Sequence, residues 1–209
     1  MKEITEYIEK NVFPFYDKEI GKLYGDHARR TVVKSLEIAK RIDDKTLDQN
    51  MIYTIAAYHD IGLVNGKPNH EKLGAQMFLK DVGIQKFFSP DQIKTIADAI
   101  EDHRASNNSD PRTIYGKIIS TADRLGWLDI DESLKVMYQN RIKNKPELSL
   151  EEKIEDARQH VLEKYSAGGY ADGKFYFPDP KNEFEKFRRA LSKLARDPKK
   201  FRKRFLKNI

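Results

Sequence analysis

The sequence predicts an all-α fold. Apolar residues recur at helical spacing, the spacing breaks where Gly, Pro or Asn/Asp clusters fall, and no segment shows the sustained alternation of a half-buried strand. At 209 residues the chain is long enough for one well-packed domain and too short to require two.

Taken in order, Asp26 is placed to cap a helix over about 26–43 with Val32, Leu36, Ala39 and Ile42 as its apolar stripe. His27 stands near the start of that helix and roughly opposite the stripe, where an ordinary side chain is solvated. A second helix from about residue 47 carries Ile52, Ile55 and Ala56. One more step along that stripe lands on His59, facing inward, and Gly62 then ends the helix and leaves space beside its last turn. After a loop over 62–68, Asn69 is a candidate cap for a helix with His70 and Glu71 in its first turn. Pro90 and Asp91 begin the next helix, which buries Ile93, Ile96, Ala97 and Ile100 and ends at His103, on the shoulder of the stripe.

A helix over about 113–127 sets Ile114, Ile118, Ala122 and Leu125 on one face. Asp123 is the lone acid of an adjoining row of small or apolar residues. Further helices are expected over 130–143, 150–165 and 182–195, with a Gly- and Tyr-rich loop over 166–180. Tyr165, Tyr170, Tyr176 and Phe177 around that loop suit a lid over a nucleobase or, more commonly, packing on the core.

No apolar run approaches the roughly 20 residues of a membrane span, and residues 1–10, with Glu3, Glu6 and Glu9, lack the features of a secretory signal, so a cytoplasmic location is expected. With no cysteine, any metal must be held by nitrogen and oxygen ligands. The net charge of +6 is uneven: residues 186–209 hold eleven Lys/Arg and one acid, Asp197, which leaves the rest of the chain negative. The high pI is therefore no sign that the whole protein binds nucleic acid.

Four of the five histidines, His27, His59, His70 and His103, fall at ends of expected helices, and ends of separate helices can meet at one point. Each alone has an ordinary explanation, since a histidine in a last helical turn also interacts favourably with the terminal carbonyls. Together with their neighbours they resemble a known family. Asp26-His27-Ala28-Arg29-Arg30-Thr31-Val32, then Tyr58-His59-Asp60-Ile61-Gly62, then Thr121-Ala122-Asp123-Arg124-Leu125 are similar in order and spacing to the HD superfamily of metal-dependent phosphohydrolases, over roughly residues 20–130. The stretch from Asn69 and Gly74 to His103 and Arg104 resembles the subgroup with additional histidines before the last aspartate.

The resemblance implies an HD-type helical bundle with its motifs at about 20–130; the expected organisation is one such domain over residues 1–180 and, from the charge and apolar stripe of the tail, a basic amphipathic helical segment over 181–209. It implies that His27, His59, Asp60 and Asp123 hold a divalent transition ion (Fe, Mn, Co, Ni or Zn), that Asp60 can bridge to a second ion, and that His70 and His103 stand where ligands of that ion would be. The implied activity is hydrolysis of a phosphate ester of a nucleotide or other small phosphorylated molecule, with Asp60, Arg30 and Arg124 in the catalytic centre. Arg30, Arg104 and Arg124 suit planar recognition of phosphate or pairing with the ligating carboxylates. Glu71 and Asp102 are both able to accept a proton, and nothing in the sequence selects one as general base. Gly-Tyr-Pro does not follow His103 and no adjacent histidine pair is present, which disfavours a cyclic dinucleotide as substrate. His160, outside the matched stretch, is not expected to bind metal. Two other readings are a nucleotide-sensing module that keeps the pocket without turnover, and a nucleic-acid-associated protein using the basic tail. The stripe of Phe184, Phe187, Leu191 and Leu194 argues that the tail is rather the solvated face of a docked helix.

Overall fold

The computed structural model describes residues 2–42, 44–107, 109–169 and 175–209. The fold is all-α, and no strand occurs among the described residues. Asp43, the expected end of the helix from Asp26, and Tyr170, in the expected loop, lie outside the described residues. No helix of the described residues is long and apolar enough to cross a membrane. The chain divides into two compact units, Met1–Gly126 and Trp127–Ile209.

The first unit opens with α1 (Lys2–Phe15), which buries Ile4, Ile8 and Val12 at helical spacing. Pro14 has no N–H to give the ladder, and the chain after it winds as a π-helix over Tyr16–Gly21. Gly21, at φ 123°, forms the junction with α2 (Lys22–Ile42). Asp26 is therefore inside α2 and caps nothing, contrary to expectation, because the helix begins a full turn earlier. Its buried face also differs from the expected stripe: His27, Ala28, Thr31, Val32, Ser35, Ile38 and Ala39 are buried, while Leu36 and Ile42 are only half-buried.

Asp48 caps α3 (Gln49–Tyr58) by accepting from the Asn50 N–H. Every residue from Met51 to Tyr58 is buried, so α3 is a central helix enclosed on all sides rather than one with a single apolar stripe. A 3-10 turn (Ile61–Asn65) occupies the start of the expected loop. Then come α4 (His70–Lys80), a short α5 (Val82–Gln85), α6 (Pro90–Asp102) and α7 (Ile114–Leu125). Asn69 precedes α4 as expected, but it makes no side-chain cap. It adopts the left-handed region at φ 56°, which Asn tolerates better than most residues. Ser89 and Gln92 form a reciprocal capping box on α6, and Thr113 caps α7 through the Gly116 N–H. Around α3 pack α1, α2, α6 and α7.

The second unit contains α8 (Ile130–Asn144), α9 (Leu150–Tyr165), α10 (Pro178–Ala195) and α11 (Pro198–Leu206). Residues 178–180, expected in a loop, belong to α10, because proline is well suited to a first helical turn. Tyr165 is not a lid residue: it ends α9, is buried, and its ring meets Phe187 edge-on at 5.7 Å. Tyr176 and Phe177 are half-buried. The stretch after Ala195, expected as part of the helical segment over 181–209, forms a separate helix, α11, which buries Phe201 and Phe205.

Candidate metal centre

Backbone close to backbone brings the site together. Gly62, expected to leave open space, does the opposite: a Cβ there would lie 2.1 Å from the His70 carbonyl oxygen, so the 3-10 turn and the start of α4 touch main chain to main chain. That approach sets His70 beside the end of α3. At the other side a Cβ on Gly126 would lie 2.6 Å from His27 Nδ1 and 3.0 Å from Thr31 Oγ1. The small row of α2 thus packs against the end of α7, and His27, which the apolar stripe taken alone would leave in solvent and which the resemblance makes a ligand, is wholly buried.

Local chemistry aims the imidazoles. The Nδ1 atoms of His59, His70 and His103 lie 2.8, 2.8 and 2.7 Å from the carbonyl oxygens of Ala56, Lys67 and Ile100, each three residues back. A carbonyl only accepts, so each Nδ1 carries the proton and donates, which leaves Nε2 to face the centre. His59 and His103 thus do bond the terminal carbonyls of their helices, and the same bond turns their Nε2 atoms towards the centre.

His27 Nε2 is 2.9 Å from Asp123 Oδ1 and 3.3 Å from His59 Nε2. His70 Nε2 is 3.3 Å from His103 Nε2. Asp60 stands between the pairs with one oxygen for each: Oδ2 is 3.5 Å from His59 and 3.8 Å from His27, while Oδ1 is 3.2 Å from His70 and 3.4 Å from His103. His27, His59, Asp60 and Asp123 each offer a ligand atom within 4.8 Å of all the others, and Asp60, His70 and His103 form a second such group. The Asp123 side chain is 23% exposed and that of Asp60 10%, so the centre opens to solvent on the Asp123 side.

Converging lone pairs need positive charge between them. Burial raises the cost of ionising Asp60 and Asp123, but the surrounding histidines outweigh it and hold both carboxyls far below the usual carboxylate range. Burial likewise opposes protonation of His59, yet Asp60 and Asp123 push its pKa up to about 9. His70 is raised against its burial by Asp60, whereas for His27 burial wins and the pKa falls. Two carboxylates and four Nε2 atoms in so small a volume make a donor set that protons or a cation can fill, and its nitrogen and oxygen atoms suit a first-row divalent ion.

The expected arginines are spread around this centre. Arg30 Nε donates to the Gly126 carbonyl oxygen at 3.0 Å, Arg124 is buried, and Arg104 Nη1 lies 3.2 Å from Glu71 Oε2. Glu71 is buried, with its carboxyl held below the ordinary range by Arg104 and backbone hydrogen bonding against the effect of burial. Asp102 accepts from Arg112, which also reaches Asp98 and Glu101, so it belongs to a closed ion-pair cluster. One buried residue beside the centre has no counterpart in the sequence reading. Tyr16 is fully buried, and its hydroxyl accepts the Asp60 N–H at 3.2 Å; burial and the charges of Asp60 and Asp123 hold the phenol protonated. No local pattern in residues 1–25 points to it.

The HD domain family model matches residues 24–128, half of the chain, and this stretch contains His27, His59, Asp60, His70, His103 and Asp123. Comparison with curated proteins and with solved structures gives no match.

Proposed function

The chain belongs to the HD domain family, a family of metal-dependent phosphohydrolases, and on that premise we propose that it hydrolyses a phosphate ester of a nucleotide or another small phosphorylated molecule. In this reading His27, His59, Asp60 and Asp123 would hold one divalent ion, and Asp60, His70 and His103 would hold another. The observation that carries it is the meeting of those four ligand atoms within 4.8 Å, from residues up to 96 positions apart. A bound divalent ion supplies two things here: it acidifies a coordinated water towards a nucleophile at neutral pH, and it draws charge off the phosphoryl oxygens.

The chain's own groups do the rest. The three Nδ1–H bonds to main-chain carbonyls fix the imidazoles so that no reorientation is needed on binding. The exposed edge at Asp123 is where a phosphate approaches. In this reading Arg104, a third exposed and with its guanidinium held by Glu71, contacts the phosphate. Arg30, anchored on Gly126, and buried Arg124 stiffen the end of α7 that carries Asp123.

The test is a panel of nucleoside mono-, di- and triphosphates, dinucleoside polyphosphates and sugar phosphates, run on protein loaded in turn with Mn, Fe, Co, Ni and Zn. At least one class should be turned over, and the double variant His59→Ala, Asp60→Ala should lose both bound metal and turnover. Undiminished hydrolysis by that variant would end the proposal, and tight binding with no product across the panel would turn it into a sensing role.

A further inference from the structure

Asp60 is the hinge of the centre, and its conformation needs an outside hold. It follows the last residues of α3 in the bridge region of backbone space, at φ −106° and ψ 6°, before the 3-10 turn begins. The Ala56 carbonyl, the acceptor that a continuing α-helix would offer the Asp60 N–H, receives the His59 ring proton. The Asp60 N–H is donated to the hydroxyl of Tyr16, 44 residues away in sequence. Tyr16 in turn is the first residue of the π-helix after Pro14, and it has no exposed surface at all. Single π-helical turns tend to occur where a fold must place one side chain out of register with the helix before it.

We propose that Tyr16 is a positioning residue for Asp60: by taking the Asp60 N–H where α3 stops, it fixes the carboxylate whose two oxygens face the two histidine pairs. This rests on the metal-binding reading above. In this role Tyr16 acts on the cation through Asp60, at both groups at once. A residue that supports a ligand in this way typically changes metal affinity 10–100-fold when removed.

The experiment compares Tyr16→Phe with Tyr58→Phe, titrating metal-free protein with Mn2+ or Zn2+ and recording melting of the metal-free form. Tyr58 is the control because it is equally buried in the first unit but donates to Asp81, at 2.6 Å. Tyr16→Phe should bind the ion about tenfold more weakly, while Tyr58→Phe lowers the melting temperature and leaves affinity unchanged. If Tyr16→Phe only lowers the melting temperature and binds the ion as the parent does, Tyr16 is merely structural and the inference is overturned. A parent protein that binds neither ion would instead sink the metal-binding reading and this inference with it. Amide hydrogen exchange on the parent protein gives a check that does not depend on the variant folding: the Asp60 amide must be protected, and rapid exchange there would also overturn the assignment.

Discussion

The two units bury different kinds of charge. The first buries His27, His59, Asp60, His70, Glu71 and His103 together with Thr31, Ser35, Thr54, Ser120 and Thr121, an interior with an unusual load of polar groups. The second builds its interior mainly from Phe184, Phe187, Leu191, Phe201 and Phe205, buries Arg141, Lys153 and Arg188 each against main-chain carbonyls, and keeps pairs such as Arg202 with Glu151 and Arg204 with Asp131 on its surface. Burying ionisable groups costs several kcal/mol each unless they are compensated, whereas exposed pairs contribute little. An interior that keeps such a cost is therefore where function is to be sought, and the abundant ion pairs of the basic tail are not.

Four substitutions or conditions press on that contrast, the substitutions taken from the largest effect down. Asp60→Ala removes the carboxylate common to both ligand groups, so metal affinity should fall beyond the 10–100-fold seen for merely supporting residues. Calorimetric titration checks this, and retention of two ions would show that the groups are independent of Asp60. Gly126→Ala changes no ligand at all, yet its Cβ would press on His27 Nδ1. Roughly tenfold weaker metal binding is expected, with unchanged affinity meaning that His27 has room to retreat.

Proton competition gives the third effect. His59 has its pKa raised from 6.5 to about 9, so in the metal-free protein its charged form contributes stability that is complete below pH 6.5 and lost as the pH rises through about 9. A metal ion must displace that proton, so affinity should rise about tenfold per pH unit across this window for each proton released. A pH-independent affinity would mean that His59 is already neutral. Smallest of all, Arg204→Ala should leave the melting temperature unmoved within experimental error, because its partner Asp131 lies in solvent-exposed surroundings. A clear loss of stability there would erase the contrast between the units.

Much of the centre was legible. His59 followed from extending the α3 stripe by one step, and the bonds from Nδ1 to the carbonyl three residues back are local geometry at a helix end. The order of His27, His59-Asp60 and Asp123 carried the family. Other features were not legible, for identifiable reasons. The apolar stripe by itself left His27 opposite the core, because helical periodicity ranks Leu36 and Ile42 as more apolar than Thr31 and Ser35, and only the resemblance put it in the site. The close approach of α2 to Gly126 favours small side chains over large ones, and nothing in α2 alone reveals what faces it. Asp26 looked like a cap because a good capping residue inside a helix has the same sequence appearance as one at its start.

What the sequence determined by itself is therefore the class of fold, the positions of most helices and the set of nitrogen and oxygen donors, since these depend on residue type and on spacing along one helix. The tertiary structure alone decided that Asp60 divides its two oxygens between two histidine pairs, that Gly62 closes a contact instead of opening a space, and that Tyr16 holds the turn at Asp60. Each of these is a meeting of separate segments of the chain, fixed by how closely two backbones can approach, and that distance is a property of packing that no single element encodes.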